Sequence, residues 1–351
     1  MKAACYVDRF QLATQETDIP TLGPGDLLLQ VYACGVCGTD VRKVRHALVK
    51  PPAILGHEVA GEVVDLGKDV RKFKRGDRVV VAHHTPCYVC HYCRHENFSM
   101  CRKFKSSNLD PGGFSEFVRV PEGHVEMTAH KIPEGMPYET AIHMEPLACI
   151  LRNLKRTKLL PGDTVLVIGL GSMGLLTGQM IKRTPANVIG SDLRFDRRQI
   201  AQGLGFDLVL DGNDQHHNNK EKILEMTEGR GLDLVVLTAG NATLYGDVVQ
   251  LVRDGGSVSI FAGLEPGAKV TYDANDLYSR EITIYSSYSP SPCELSEALE
   301  HLKNKSVDVH ILNSKIFRLE EAFMAIEAVA SQKILKAIIA PHGVSQGVSA
   351  I

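Results

Sequence analysis

The 351-residue sequence predicts an α/β protein of two bodies, one β-rich and one built on a doubly wound parallel sheet. Two observations predict it. Up to about residue 150 the chain is a series of short β-type runs punctuated by Gly and Pro, with little helix between them. From about Leu151 short apolar runs alternate with helical stretches, the pattern of strands buried on both faces. The length fits about two domains. The expected boundaries are 1–150 and 151–289, with 290–351 returning to complete the first body.

In the first body, 27–33, 59–66 and 78–82 read as strands, and Gly23-Pro24-Gly25-Asp26 and Lys74-Arg75-Gly76-Asp77 as turns between them. Such strands without helices suggest a barrel or sandwich. In the second, 164–168, 187–192, 207–210, 232–238, 257–262 and 281–285 read as strands, and 172–184 and 194–203 as helices. The tail offers helices over 294–303 and 319–330 and a last strand at 337–340. The polar stretch 211–219 reads as an exposed loop whose His216-His217 pair is solvated surface.

Composition narrows the function. Hydrophobic residues make up 44% and charged residues 23%, enough apolar material for two cores. The formal charge of −2 comes without a basic stripe, so no nucleic-acid partner is expected. The first residues lack a signal-peptide core, and no run of about 18 apolar residues exists. A cytoplasmic protein is expected, and its nine cysteines point to metal or thiol chemistry rather than disulfides.

Gly169-Leu170-Gly171-Ser172-Met173-Gly174 follows a predicted strand and opens a predicted helix. This G-x-G-x-x-G spacing is the Rossmann fingerprint. Gly169 turns the chain, Gly171 lets a pyrophosphate approach, Gly174 packs helix on strand, and the N–H groups from Ser172 and Met173 onward meet the phosphates. Asp192 ends the next strand, where a carboxylate binds both ribose hydroxyls and repels a 2′-phosphate, so NAD is expected over NADP. Arg197 stands where it could flank the adenine or lie on a solvated helix face. Cys87, Cys90, Cys93 and Cys101, spaced C-x2-C-x2-C-x7-C, can close a tetrahedral shell around a structural zinc. A filled shell cannot activate a substrate.

The remaining chemistry lies in Cys37-Gly38-Thr39-Asp40, Gly56-His57-Glu58 and Glu145-Pro146-Leu147. Thiolate, imidazole and carboxylate are all zinc ligands, and a catalytic zinc keeps about three of them and one open position. Cys37 and His57 are expected as ligands, with Glu58 and Glu145 competing for the third place. Asp40 is expected behind His57, on its other ring nitrogen. Cys34 and Cys149 read as core residues.

With these motifs in view, the chain resembles the zinc-containing medium-chain dehydrogenases, and among them the polyol (sorbitol or iditol type) dehydrogenases, essentially end to end. The resemblance implies a GroES-like catalytic domain completed by the C-terminal segment, a Rossmann NAD domain, two zincs per chain and a homodimer or homotetramer. It implies oxidation of a secondary alcohol, a polyol or sugar alcohol, with hydride passing to NAD. Thr39 would take the alcohol proton. A threonine- or amino-alcohol-type dehydrogenase, and a non-catalytic NAD-binding protein of the same fold, are the alternatives.

Three departures stand out. Arg42 occupies the place where related enzymes commonly carry a proton-relaying histidine, and arginine cannot shuttle a proton; it could hold a cofactor phosphate instead. The sorbitol-type enzymes resemble each other in an arginine near Ser287, absent here, which argues against sorbitol itself. Threonine dehydrogenases usually carry aspartate in the Glu145-Pro146-Leu147 stretch, so the glutamate leans toward polyols.

Overall fold

A computed structural model describes residues 1–214 and 217–343, His217 by its backbone only, so the His216-His217 pair lies outside the described residues. The chain forms two compact units, Met1–Ala148 together with the chain from Pro290 on, and Cys149–Ser289.

The first unit is built on β1 (Lys2–Asp8), β2 (Gln11–Glu16), β3 (Leu27–Gly35), β4 (Ala53–Ile54), β5 (Glu58–Leu66), β6 (Arg78–Ala82), β7 (Phe117–Val120) and β8 (Ala129–Lys131). A small sheet runs β2-β1-β4. The larger one centres on β3, which pairs antiparallel with β5 and β7; β5 pairs with β6 and β6 with β8. Leu27, Leu29, Val31, Val59, Val63, Val79 and Val81 supply its core. Each such side chain, fully buried, contributes about 1.5–3 kcal/mol.

In the second unit β9 (Thr164–Ile168), β10 (Asn187–Asp192), β11 (Leu208–Asp211), β12 (Leu232–Leu237), β13 (Val252–Ile260) and β14 (Thr283–Ser286) form one sheet in the order β11-β10-β9-β12-β13-β14. All its pairings are parallel. The central strands are buried almost throughout, as a parallel sheet covered on both faces requires. The helix expected to reach residue 184 ends at Ile181, just short of Pro185, which disfavours helix in the residue before it. The strand expected from residue 257 starts at Val252. A register shift there takes up Gly255, whose φ of +69° suits glycine.

The tail adds β15 (Lys315–Phe317) and β16 (Ala337–Ile339) to the larger sheet of the first unit. β16 pairs antiparallel with the end of β3, Ile338 opposite Gly35 and Ile339 opposite Cys34. Leu319, Ala322, Ile326 and Ile339 enter the same core as β3 and β5. The strand that leads into Cys37 is therefore bordered by the C-terminal segment.

Candidate active site

Cys37 lies just past β3 and caps the Gly38–Arg45 helix. Its Sγ accepts from the Thr39 N–H at 3.5 Å, and Asp40 Oδ2 accepts from the Cys37 N–H at 3.0 Å. This reciprocal cap fixes the start of the helix. The other carboxylate oxygen of Asp40 stands 3.3 Å from Nδ1 of His57. Burial alone would lower the His57 pKa, but the Asp40 carboxylate, with Cys37, raises it well above the ordinary value. Glu58 opens β5 and pairs with Gly35 on one side and Ala82 on the other.

Cys37, His57 and Glu58, 21 residues apart at the extremes, each present one ligand atom within 4.8 Å of the other two. Donors on one zinc, bound at about 2.0–2.3 Å, lie between about 3 and 4 Å apart, so the set fits a divalent ion with little adjustment. With Asp40 beside Nδ1 of His57, Nε2 is the ring nitrogen left to face a metal. Glu145 is buried in the Met144–Leu154 helix but lies outside this group of three. Thr39 and Arg42 are exposed on the Gly38–Arg45 helix.

Two features were not legible in the motifs. Lys336, just before β16, is 4% exposed and ion-pairs with Glu58 Oε2. Burial would lower its pKa, but Glu58 and Cys37 raise it, so it is a buried cation. A single lysine in the apolar run Ile334-Leu335-Lys336-Ala337-Ile338-Ile339 was the available signal. His83 and His84, near the cysteines in sequence, stack instead between His57 and Phe104, with ring centroids 4.6, 3.8 and 4.7 Å apart in turn. Burial holds His84 down to about 4, and its Nδ1 donates to the Ser107 carbonyl at 2.7 Å.

Cys87, Cys90, Cys93 and Cys101 bring their sulfurs within 4.8 Å of one another, with Cys87 and Cys93 4.0 Å apart. Four thiolates on one zinc would be about 3.8 Å apart. The surrounding core is only Cys93, Cys101 and Phe104, with Cys87, Cys90 and Phe98 packed on it. So small a core gains much of its stability from a metal. Cys34 is fully buried, whereas Cys149 is only half-buried.

In the second unit Gly169 has φ +91°. A Cβ on Gly174 would fall 1.8 Å from the Gly169 carbonyl oxygen, so this turn admits only glycine. A Cβ on Gly171 would meet only Arg197 Nη1, at 3.9 Å, which leaves the face open for a pyrophosphate at the head of the Ser172–Ile181 helix. Asp192 Oδ2 accepts from the Leu170 N–H at 2.6 Å and Oδ1 from the Arg194 N–H at 2.8 Å. A carboxylate has about four acceptor sites, so each oxygen keeps one for a ribose hydroxyl. Arg197 Nη1 lies 3.7 Å from Asp192 Oδ2. These residues fit a dinucleotide.

Residues 23–134 match the alcohol dehydrogenase GroES-like domain and residues 172–304 the zinc-binding dehydrogenase family. The chain is 30% identical to a sorbitol dehydrogenase of Halalkalibacterium halodurans, over 94% of this chain and 95% of that one. It belongs to the zinc-containing medium-chain dehydrogenase/reductase superfamily. It is also 35% identical to the L-threonine 3-dehydrogenase of Pyrococcus horikoshii, over 77% of each chain. A zinc-binding dehydrogenase of Sinorhizobium meliloti 1021, solved bound to NADP, matches with a TM-score of 0.87 and 29% identity, over 97% of this chain and 99% of that one. As a member of this superfamily the protein is a zinc-dependent oxidoreductase that uses a nicotinamide dinucleotide, with a GroES-like first unit and a Rossmann second unit.

Proposed function

We propose that the protein oxidises a secondary alcohol of a polyol or sugar alcohol to the ketone, with NAD as hydride acceptor and a catalytic zinc on Cys37, His57 and Glu58. The observation that carries this reading is the convergence of those three donors with a carboxylate, Asp40, behind the histidine. Zinc bound there supplies Lewis acidity that makes an alcohol O–H acidic near neutral pH, and NAD supplies the hydride acceptor. Three protein donors leave a position for the substrate oxygen. Thr39, exposed in the first turn of its helix, receives the alcohol proton on its hydroxyl. Arg42 is assigned to a cofactor phosphate rather than to the proton path, because a guanidinium cannot relay a proton. Glu145 is a buried carboxylate whose charge also acts on Lys336, outside the direct ligand set.

For the cofactor, the Gly169–Gly174 turn holds the pyrophosphate and Asp192 the ribose hydroxyls. Asp192 is nearly buried, which strengthens its repulsion of a 2′-phosphate and supports NAD. The four-cysteine cluster holds the second, structural zinc. The reading extends to a cytoplasmic homodimer or homotetramer; among the described residues no helix is long and apolar enough to cross a membrane.

The test is NAD reduction by a panel of polyols, simple secondary alcohols and threonine, with and without a zinc chelator. Polyols are expected to be the best substrates, and chelation to abolish turnover. A preference for threonine, or turnover indifferent to chelator, would reject this reading.

A further inference from the structure

We propose that Lys336 is a positioning residue that shares Glu58 with the catalytic metal: by holding Oε2, it keeps Glu58 a displaceable, one-oxygen ligand. This rests on the assignment of the metal to Cys37, His57 and Glu58.

The geometry is specific. The Lys336 ammonium pairs with Glu58 Oε2 and also donates to the Val36 carbonyl at 3.3 Å. The side chains are 5% and 1% exposed, so water cannot substitute for either partner. The backbone holds the pair in place. The Val36 N–H donates to the Ala337 carbonyl at 2.9 Å, and the Lys315 N–H donates to the Lys336 carbonyl at 3.0 Å. Gly35 makes the room: a Cβ there would fall 1.9 Å from Glu58 Oε2 and 3.0 Å from Lys336 Cε. The chain thus gives up a side chain on β3 where the carboxylate meets the ammonium.

Two consequences follow from charge. A buried ammonium beside a divalent site opposes the cation, strongly at low dielectric. It also competes with the metal for the only carboxylate in the group of three. A partner that merely oriented Glu58 would strengthen metal binding, and its loss would weaken binding about 10–100-fold. A competing cation has the opposite sign.

The experiment measures metal release from zinc-loaded protein to a chromogenic chelator, following the phase that Cys37→Ser abolishes. In Lys336→Met that phase is expected to slow by about tenfold or more. Lys336→Arg, which keeps the charge and the carboxylate pairing, is expected to restore release to within about threefold of wild type. Faster or unchanged release in Lys336→Met overturns the proposal. Absence of the Cys37-dependent phase from wild type overturns the metal assignment, and this proposal with it. Should Lys336→Met fail to fold, a crystal structure of zinc-loaded wild type decides. Lys336 on one Glu58 oxygen and zinc on the other supports sharing. Both oxygens on zinc, with Lys336 released, refutes it.

Discussion

Asp40 stands 3.3 Å from His57 Nδ1 while its other oxygen accepts from the Cys37 N–H, so one carboxylate orients two donors 20 residues apart. It is fully buried, and its pKa is lowered: burial would raise it, but His57 and the hydrogen bonds prevail. Replacing it by asparagine keeps the shape and removes the charge. Asp40→Asn is expected to weaken the Cys37-dependent metal site about 10–100-fold. The helix cap should suffer less, by about 1 kcal/mol, because asparagine can still accept from the Cys37 N–H. Metal titration and thermal unfolding of the same preparation separate the two effects.

Cys37→Ser isolates the metal from the fold. Serine is a good N-cap, so the Gly38–Arg45 helix should persist. Zinc should fall from two per chain to one, activity should be lost, and the melting temperature should stay within a few degrees of wild type. Elemental analysis with calorimetry checks this, and full turnover in the variant would remove the mechanism.

How far these sites were legible depended on where their information lies. Cys37, His57 and Glu58 could be named from residue type and neighbours, and the four cysteines from spacing alone, because ligand chemistry is written locally. The Gly169–Gly174 turn was legible for the same reason: the clash at Gly174 involves a residue five positions away. Glu58 and Glu145 could not be ranked, since both are carboxylates; in the fold it is Glu58 that groups with Cys37 and His57. Lys336 was illegible because its partner is 278 positions earlier, and a lone lysine near the end of a chain reads as a solvated side chain. Strand ends were missed where a bulge, as at Gly255, continues pairing through residues that look like a turn.

Acid should destabilise the first unit partly through His130. It sits in β8 with a buried Nε2 that has no hydrogen-bond partner, and burial, with Lys72 nearby, depresses its pKa to about 4. The unfolded chain takes up a proton near pH 6.5 and the folded chain does not until about pH 4. Stability from this group is therefore full above about pH 6.5 and falls as pH drops toward 4, by up to about 3 kcal/mol. His130→Gln is expected to flatten that part of the profile. Urea unfolding of both proteins between pH 7 and pH 4.5 measures it, and parallel profiles would refute it.

Cofactor choice is the sharpest test of the second unit. Asp192 presents a carboxylate already anchored by the Leu170 and Arg194 N–H groups, so it cannot swing away from an incoming 2′-phosphate. Removing it takes away a charged acceptor for the ribose hydroxyls, and such hydrogen bonds contribute about 1.5–3 kcal/mol. It also frees Arg197, now 3.7 Å from that carboxylate, to meet a phosphate. Asp192→Gly is expected to lower kcat/KM for NAD by about 10–100-fold and to raise it for NADP, reversing the preference. Some stability should be lost as well, because two backbone N–H groups lose their acceptor. Steady-state kinetics with both cofactors at a fixed alcohol concentration reads the ratio. The double variant Asp192→Gly/Arg197→Ala should lose the NADP gain. A gain that survives loss of Arg197 would place the phosphate contact on another residue.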